Sequence, residues 1–205
     1  DLNVLGDFKP EVPDSYVGCE LLFLANIDPD IQLELIQKVR PKKCFCDTMN
    51  FWIEGKRESL TRVFEAVDGI LINDGEARQY CGEPNLIKAG KSLTEINDGV
   101  VVIKKGEHGS IYFGGEIVFT LPAYPTMDLV DPTGAGDSFA GGFLGHLVKH
   151  GEYTHDAVKK SMVCGSAIAS FVVTDFSVKG LQALSQKDIE ERFRDYKKLV
   201  GFWGE

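Results

Sequence analysis

Up to residue 105 the chain alternates short apolar runs with amphipathic segments of helical length, and this alternation restricts the fold more than any other feature. The run "ELLFLA" (20–25) reads as a buried strand. "DPDIQLELIQKV" (28–39) reads as a helix with Asp28 as its cap and Pro29 at its first position. The unit then repeats: strand "KCFC", a helix near 57–66, strand "GILIN", helices near 74–81 and 85–96, and strand "GVVVIKK". Strands separated by helices need right-handed crossovers, which place parallel strands in one sheet with helices on its faces. The expected class is therefore α/β, a three-layer α/β/α arrangement with a mostly parallel central sheet. Beyond residue 105 the period changes. "SIYFGGEIVFT" (110–120) alternates around Gly114-Gly115 as a tight hairpin does, and two long helices are expected near 136–150 and 154–171. A last helix near 186–198 opens on the box-like Ser185-x-x-Asp188. No linker, low-complexity stretch or fixed-period repeat divides the sequence, so residues 1–205 are read as a single domain.

Composition narrows the function classes. With 205 residues, 43% of them hydrophobic, the chain can bury a substantial core. A net charge of -9 with no Lys/Arg-rich block argues against nucleic acid as a partner, because phosphate-backbone binding needs a basic footprint. It also means that an anionic ligand must be held by a local device. No apolar run reaches membrane-spanning length, and "DLNVLGDFKPEVPDSY" lacks a basic segment followed by an apolar one. No membrane association is expected, and the location is expected to be cytoplasmic. The five cysteines (Cys19, Cys44, Cys46, Cys81, Cys164) are odd in number and form no C-x-x-C pair, so they read as free thiols. Cys44 and Cys46 share a strand face without a nearby histidine, and His108, His146, His150 and His155 are scattered or surface-like, so no Cys/His metal set is expected.

Chemistry concentrates in three places. "DPTGAGDSFAGG" (131–142) puts glycines at the entrance of a helix, where free first-turn N–H groups and the positive dipole end make an anion site without lysine. The alternative is a tight turn in which Asp137 only complements the dipole. In "LINDGEARQY", Asn73 and Glu76 lie three residues apart just after an apolar strand, at the carboxyl edge of the sheet where α/β ligands bind. They read either as a helix cap and its capping-box partner, or as a site where Glu76 holds hydrated Mg²⁺. "VVIKKGEHG" ends a buried strand on Lys104-Lys105-Gly106, where Gly106 lets a ligand pass close to the backbone and Lys104 can meet phosphate charge; solvated lysines and a turn glycine are the plainer reading. Two other phosphate motifs fail. "KAGKS" (88–92) has Asn85 where a Walker loop needs glycine, and "GAGDSF" has Phe139 in place of the third glycine of a dinucleotide fingerprint.

Taken together, the three features resemble the ribokinase-like (PfkB) carbohydrate kinase family. "DPTGAGDSFAGGFLG" is similar to its C-terminal signature, "NDGE" fits its N-x-x-E motif, and their order with "IKKGEHG" between them fits as well. The resemblance implies ATP-dependent phosphoryl transfer to a hydroxyl of a small sugar, or of a nucleoside. Asp137 would be the catalytic base, and Gly134, Ala135 and Gly136 the anion hole. Asn73 and Glu76 would organise Mg²⁺ and the ATP phosphates largely through water, and Gly106 with Lys104 would line the nucleotide site. Asp131 and the carbonyl of Thr133 match positions that bind an activating K⁺, with the rest of that loop unassigned within "VVTDFSVKG". The end of "ASFVV" would border the adenine pocket, and a homodimer is an assembly that the family allows. "CDTMNFW", with Asp47 and Asn50, is similar to an Asp-x-Asn segment near the active-site edge. The opening residues match none of the family's substrate-binding and lid parts, so the sequence is expected to carry the catalytic half of the fold without most of the sugar-selecting half. A nucleotide-binding module without catalysis is the remaining alternative.

Overall fold

The computed structural model describes residues 8–182 and 184–201; positions 1–7 of the opening stretch lie outside them. Six strands form one sheet, ordered as they occur in the chain: β1 (Leu21–Leu24), β2 (Lys43–Cys46), β3 (Gly69–Asn73), β4 (Val100–Lys104), β5 (Ser110–Gly114) and β6 (Ile117–Leu121). β1 pairs with β2 in parallel, Leu22 opposite Cys44, and β2 pairs with β3 in parallel, Phe45 opposite Gly69. Nine helices occur among the described residues: α1 (Pro29–Val39), α2 (Asn50–Gly55), α3 (Arg57–Ala66), α4 (Asp74–Cys81), α5 (Leu86–Ile96), α6 (Ala135–His150), α7 (His155–Val172), α8 (Lys179–Gln182) and α9 (Gln186–Val200). No helix among the described residues is long and apolar enough to cross a membrane. The chain divides into two compact units, one of residues up to Ile103 with Phe113–Ile117, the other of Lys104–Tyr112 with residues from Val118 onward.

The first unit is the strand–helix alternation read from the sequence. Asp28 caps α1 by accepting the Asp30 N–H at 3.0 Å, and Pro29 starts the helix, so both signals act where they were placed. The strands are near-continuous apolar runs because both faces are covered. Phe45, Ile70, Leu71, Ile72, Val101 and Val102 are fully buried. Polar side chains close the turns: Asn97 donates to the carbonyls of Phe64 (2.8 Å) and Val67 (2.6 Å) and accepts the Gly99 N–H at 3.0 Å, fastening the end of α5 to that of α3. "KAGKS" lies inside α5, and its glycine has a packing role. A Cβ on Gly90 would fall 2.2 Å from the ring of Phe113. The sequence reading missed α2, six residues directly before α3, too short for a periodic signal and held by burial of Trp52 and Ile53.

In the second unit α6 and α7 dominate. α6 buries Phe139, Ala140, Phe143, Leu144 and Leu147, and α7 buries Val158, Met162 and Ala167 completely. The helices approach through glycine. A Cβ on Gly165 would lie 2.6 Å from the carbonyl oxygen of Phe139, and one on Gly142 3.1 Å from that of Cys164. Gly142, the last residue of "DPTGAGDSFAGG", is thus a packing residue. The histidines are less isolated than their spacing suggested: His146 Nδ1 lies 2.9 Å from Ser161 Oγ, and His155 Nδ1 2.6 Å from Tyr112 Oη. The hairpin turns at Gly115 with φ of 57°, and the Ser185/Asp188 capping box opens α9 as expected.

The backbone contact at Gly165 sets a clear expectation for stability. Gly165→Ala should lower the unfolding free energy by about 1–3 kcal/mol in urea titrations, because neither backbone can yield without opening the helix pair. Gly141→Ala is the contrast: nothing lies within 4 Å of its Cβ position. It should leave stability unchanged or raise it by up to about 1 kcal/mol, the helix-propensity gain.

Candidate active site

Asn73 and Glu76 belong to the first unit. β3 delivers Asn73 to its carboxyl end, and α4 starts at the next residue. Asn73 Oδ1 accepts the Glu76 N–H at 2.8 Å, and Glu76 Oε2 accepts the Asn73 N–H at 3.0 Å, a complete capping box. The cap fixes the Glu76 carboxylate, 5% exposed, at the positive end of α4. Among the described residues no three or more His, Cys, Asp or Glu side chains cluster as a metal cage. A donor set of this kind fits Mg²⁺ held through water, since that ion is commonly bound by one or two carboxylates with waters and phosphates.

The other candidates lie in the second unit. Gly134 takes the left-handed conformation, φ 81°, as the N-cap of α6, and no side chain caps the first turn. Ala135 donates its N–H to the Pro132 carbonyl (3.1 Å) and Ser138 to that of Gly134 (2.9 Å). The Gly136 and Asp137 N–H groups, which have no acceptor within the helix, are therefore the donors this end offers. Asp137 sits exposed in the same turn. Lys104, the last residue of β4, reaches the same place: its Nζ is 3.4 Å from where a Cβ on Gly136 would sit. An ammonium and a helix N-terminus are thus brought to one place, beside the Asp137 carboxylate. Just after Lys104, Gly106 has φ of 55°, and Lys105 donates to the Gly109 carbonyl at 2.7 Å.

Upstream of α6, Asp131 Oδ1 accepts the Thr133 N–H at 2.9 Å. This bond, joined by the Thr133 hydroxyl and the Ser177 N–H, holds the Asp131 carboxyl below its ordinary value. The Val173 carbonyl accepts both the Val130 N–H (2.8 Å) and the Asp131 N–H (3.3 Å). Residues 173–177, the part of "VVTDFSVKG" that the sequence left unassigned, are thereby set against Asp131. Neither Val173 nor the left-handed Ser177 (φ 59°) carries a sequence signal, because both act through backbone groups.

The six-stranded, mostly parallel sheet with a glycine-opened helix late in the chain has counterparts among solved structures. The structure is similar to that of the Methanocaldococcus jannaschii nucleoside kinase, with a TM-score of 0.75 at 22% identity, covering 94% of this chain and 60% of that one. It is also similar to a Vibrio cholerae fructokinase bound to fructose, ADP and calcium, with a TM-score of 0.74 at 14% identity over 92% and 64%. Both likenesses show the three-layer α/β/α fold. In sequence the chain is 30% identical to a cytidine kinase of Thermococcus kodakarensis over 65% of this chain and 49% of that enzyme. It is 32% identical to a nucleoside kinase of Methanothermobacter thermautotrophicus over 72% and 43%. The chain thus spans about half the length of these curated relatives. Residues 16–183 match the pfkB family carbohydrate kinase description, and the chain belongs to that family.

The lowered Asp131 carboxyl has a pH consequence. The folded value lies below the ordinary 3.8. The stability contributed by the contacts of Asp131 is therefore fully present above the ordinary value and is lost as pH falls through the lowered one. In acid unfolding, Asp131→Asn should lose less stability than the parent protein as pH falls from above the ordinary carboxylate value through the lowered one. Equal losses in the two proteins would contradict the assignment.

Proposed function

We propose that this chain carries the phosphoryl-transfer portion of an ATP-dependent kinase acting on a hydroxyl of a small sugar. The observation that supports it best is the first turn of α6, where a glycine-opened, uncapped helix N-terminus, the Lys104 ammonium and the Asp137 carboxylate occupy one turn. Phosphoryl transfer asks the protein mainly to position groups and stabilise charge, and this turn offers both. In the proposed reaction Asp137 takes the proton of the acceptor hydroxyl as its oxygen bonds to the γ-phosphorus and the bond to ADP breaks. The open N–H groups of Gly136 and Asp137, with Lys104, receive the equatorial charge, the Ala135 N–H being taken by the Pro132 carbonyl, and Gly106 lets the nucleotide pass close to the backbone. Glu76, with Asn73, would hold hydrated Mg²⁺, which neutralises charge between the ATP phosphates when bound. Asp131 and the Thr133 carbonyl are the groups offered to a K⁺ ion. A cytoplasmic location and a homodimer accompany this reading.

A second acceptor class, the ribose hydroxyl of a nucleoside, is favoured by the relatives in hand, a cytidine kinase at 30% identity and a nucleoside kinase at 32%. A panel of sugars and nucleosides, assayed for acceptor-dependent ADP release in a protein that also carries the family's substrate-binding and lid parts, separates the two. Release with no member of the panel, alongside tight nucleotide binding, would favour a binding module without catalysis. Asp137→Asn should lower transfer by about 10²–10⁴-fold, the usual contribution of a general base, while calorimetry shows nucleotide affinity within a few-fold of the parent. Undiminished transfer would remove Asp137 from the base role.

A further inference from the structure

Helix α9 is fastened to α7 by two rungs, one helical turn apart on each helix. At the first, the fully buried Tyr196 bonds through its hydroxyl to the Pro122 carbonyl and to Ser166 Oγ (3.1 Å). At the second, Arg192 Nη1 donates to Ser170 Oγ at 2.9 Å. The Arg192 guanidinium carbon also lies 3.6 Å from the centroid of the Phe171 ring and 4.8 Å from that of Tyr124. Ser170 is buried and in turn donates to the Ala167 carbonyl at 2.6 Å. Burial lowers the Arg192 pKa, yet a guanidinium stays charged at any working pH. Among the described residues no carboxylate pairs with it. Its charge is met by ring faces, a hydroxyl and the negative end of α7.

The turn that Arg192 grips supports the candidate site. Val173, three residues beyond Ser170, caps α7 and holds the Val130 and Asp131 N–H groups on one carbonyl. From Asp131 the chain reaches Gly134 through the turn closed by the Thr133 N–H, so the placement of residues 130–134 depends on where the last turn of α7 lies. That turn is also crowded from its far side, where a Cβ on Gly180 would come 2.4 Å from the Phe171 carbonyl oxygen.

We propose that Arg192 is a positioning residue for the phosphoryl-transfer cradle: by clamping Ser170 and Phe171 it fixes the Val173 carbonyl, and through it the Val130–Gly134 segment that leads into α6. The catalytic half of this statement rests on the kinase reading above, and the placement half does not. The Tyr196 rung supplies the control. It ties the same two helices together but acts at Ser166, seven residues before Val173. A role limited to general stability would be shared by both rungs.

The test combines hydrogen–deuterium exchange on the segment 128–137 with steady-state kinetics, in the parent protein and in Arg192→Ala, Arg192→Lys and Tyr196→Phe. Arg192→Ala should speed exchange of 128–137 by about tenfold or more, with the far end of α6 (143–150) unchanged, as local opening predicts. Its kcat should fall by about tenfold at an unchanged acceptor KM, since a small displacement of the cradle acts on the transition state. Arg192→Lys keeps the charge but not the planar stack, should fall between, and carries the test if the alanine variant does not fold. Tyr196→Phe should lower the unfolding temperature without moving either readout. Unchanged exchange of 128–137 in the Arg192 variants, or equal effects in Tyr196→Phe, overturns the proposal. Faster exchange in a protein whose parent form transfers no phosphate to any acceptor would leave the clamp standing and remove the kinase reading.

Discussion

The second unit depends on how closely α7 lets its neighbours approach. At Gly165 the backbone of α7 meets the Phe139 carbonyl so tightly that no Cβ fits between them, and Gly142 presents the same relief from the side of α6. A helix held by backbone contact has little freedom to slide or rotate, because no flexible side chain separates the two surfaces. The consequence reaches the site from two directions. Phe139 and Gly142 fix the first turns of α6, while the opposite end of α7 holds Val130 and Asp131 on the Val173 carbonyl. The open turn at Gly134 is thus anchored both after and before it by one helix.

In each unit the groups that could do chemistry are also the groups that complete the local fold. Asn73 and Glu76 satisfy each other as a capping box, which by itself accounts for their spacing, yet the same bonds aim a buried carboxylate at the edge of the sheet. Asp131 closes a local turn with Thr133 and is lowered by that bond, which keeps it anionic. A structural and a chemical reading of such residues do not compete. A side chain held by two or three hydrogen bonds is already ordered, and little conformational freedom remains to be lost when a ligand arrives.

Much of the architecture was legible because its signals are local. Asp28 with Pro29 and the Ser185/Asp188 box act where they occur and form as read, and the hairpin forms with its turn one residue on, at Gly115-Glu116, Gly114 ending β5. The shortest helices were not legible. α2 has six residues and α8 four, too few for a helical period to show, and the burial of Trp52 and Ile53 accounts for the first. "KAGKS" shows the opposite case, a string similar to a phosphate loop whose glycine is explained only by the ring of Phe113 lying against it.

At the site the same division holds. The sequence by itself determined which residues stand at the helix entrance and that the helix opens without a capping side chain, because glycine and aspartate act on the backbone within one turn. It also determined the family, since the three motifs keep their order along the chain and residues 16–183 match the family as a whole. Only the tertiary structure decided that Lys104 reaches Gly136, that the Val173 carbonyl carries Val130 and Asp131, and that Arg192 grips the turn beside it. Those contacts join residues dozens of positions apart, often through a carbonyl or an N–H that every amino acid possesses, so the choice of residue leaves no mark to read.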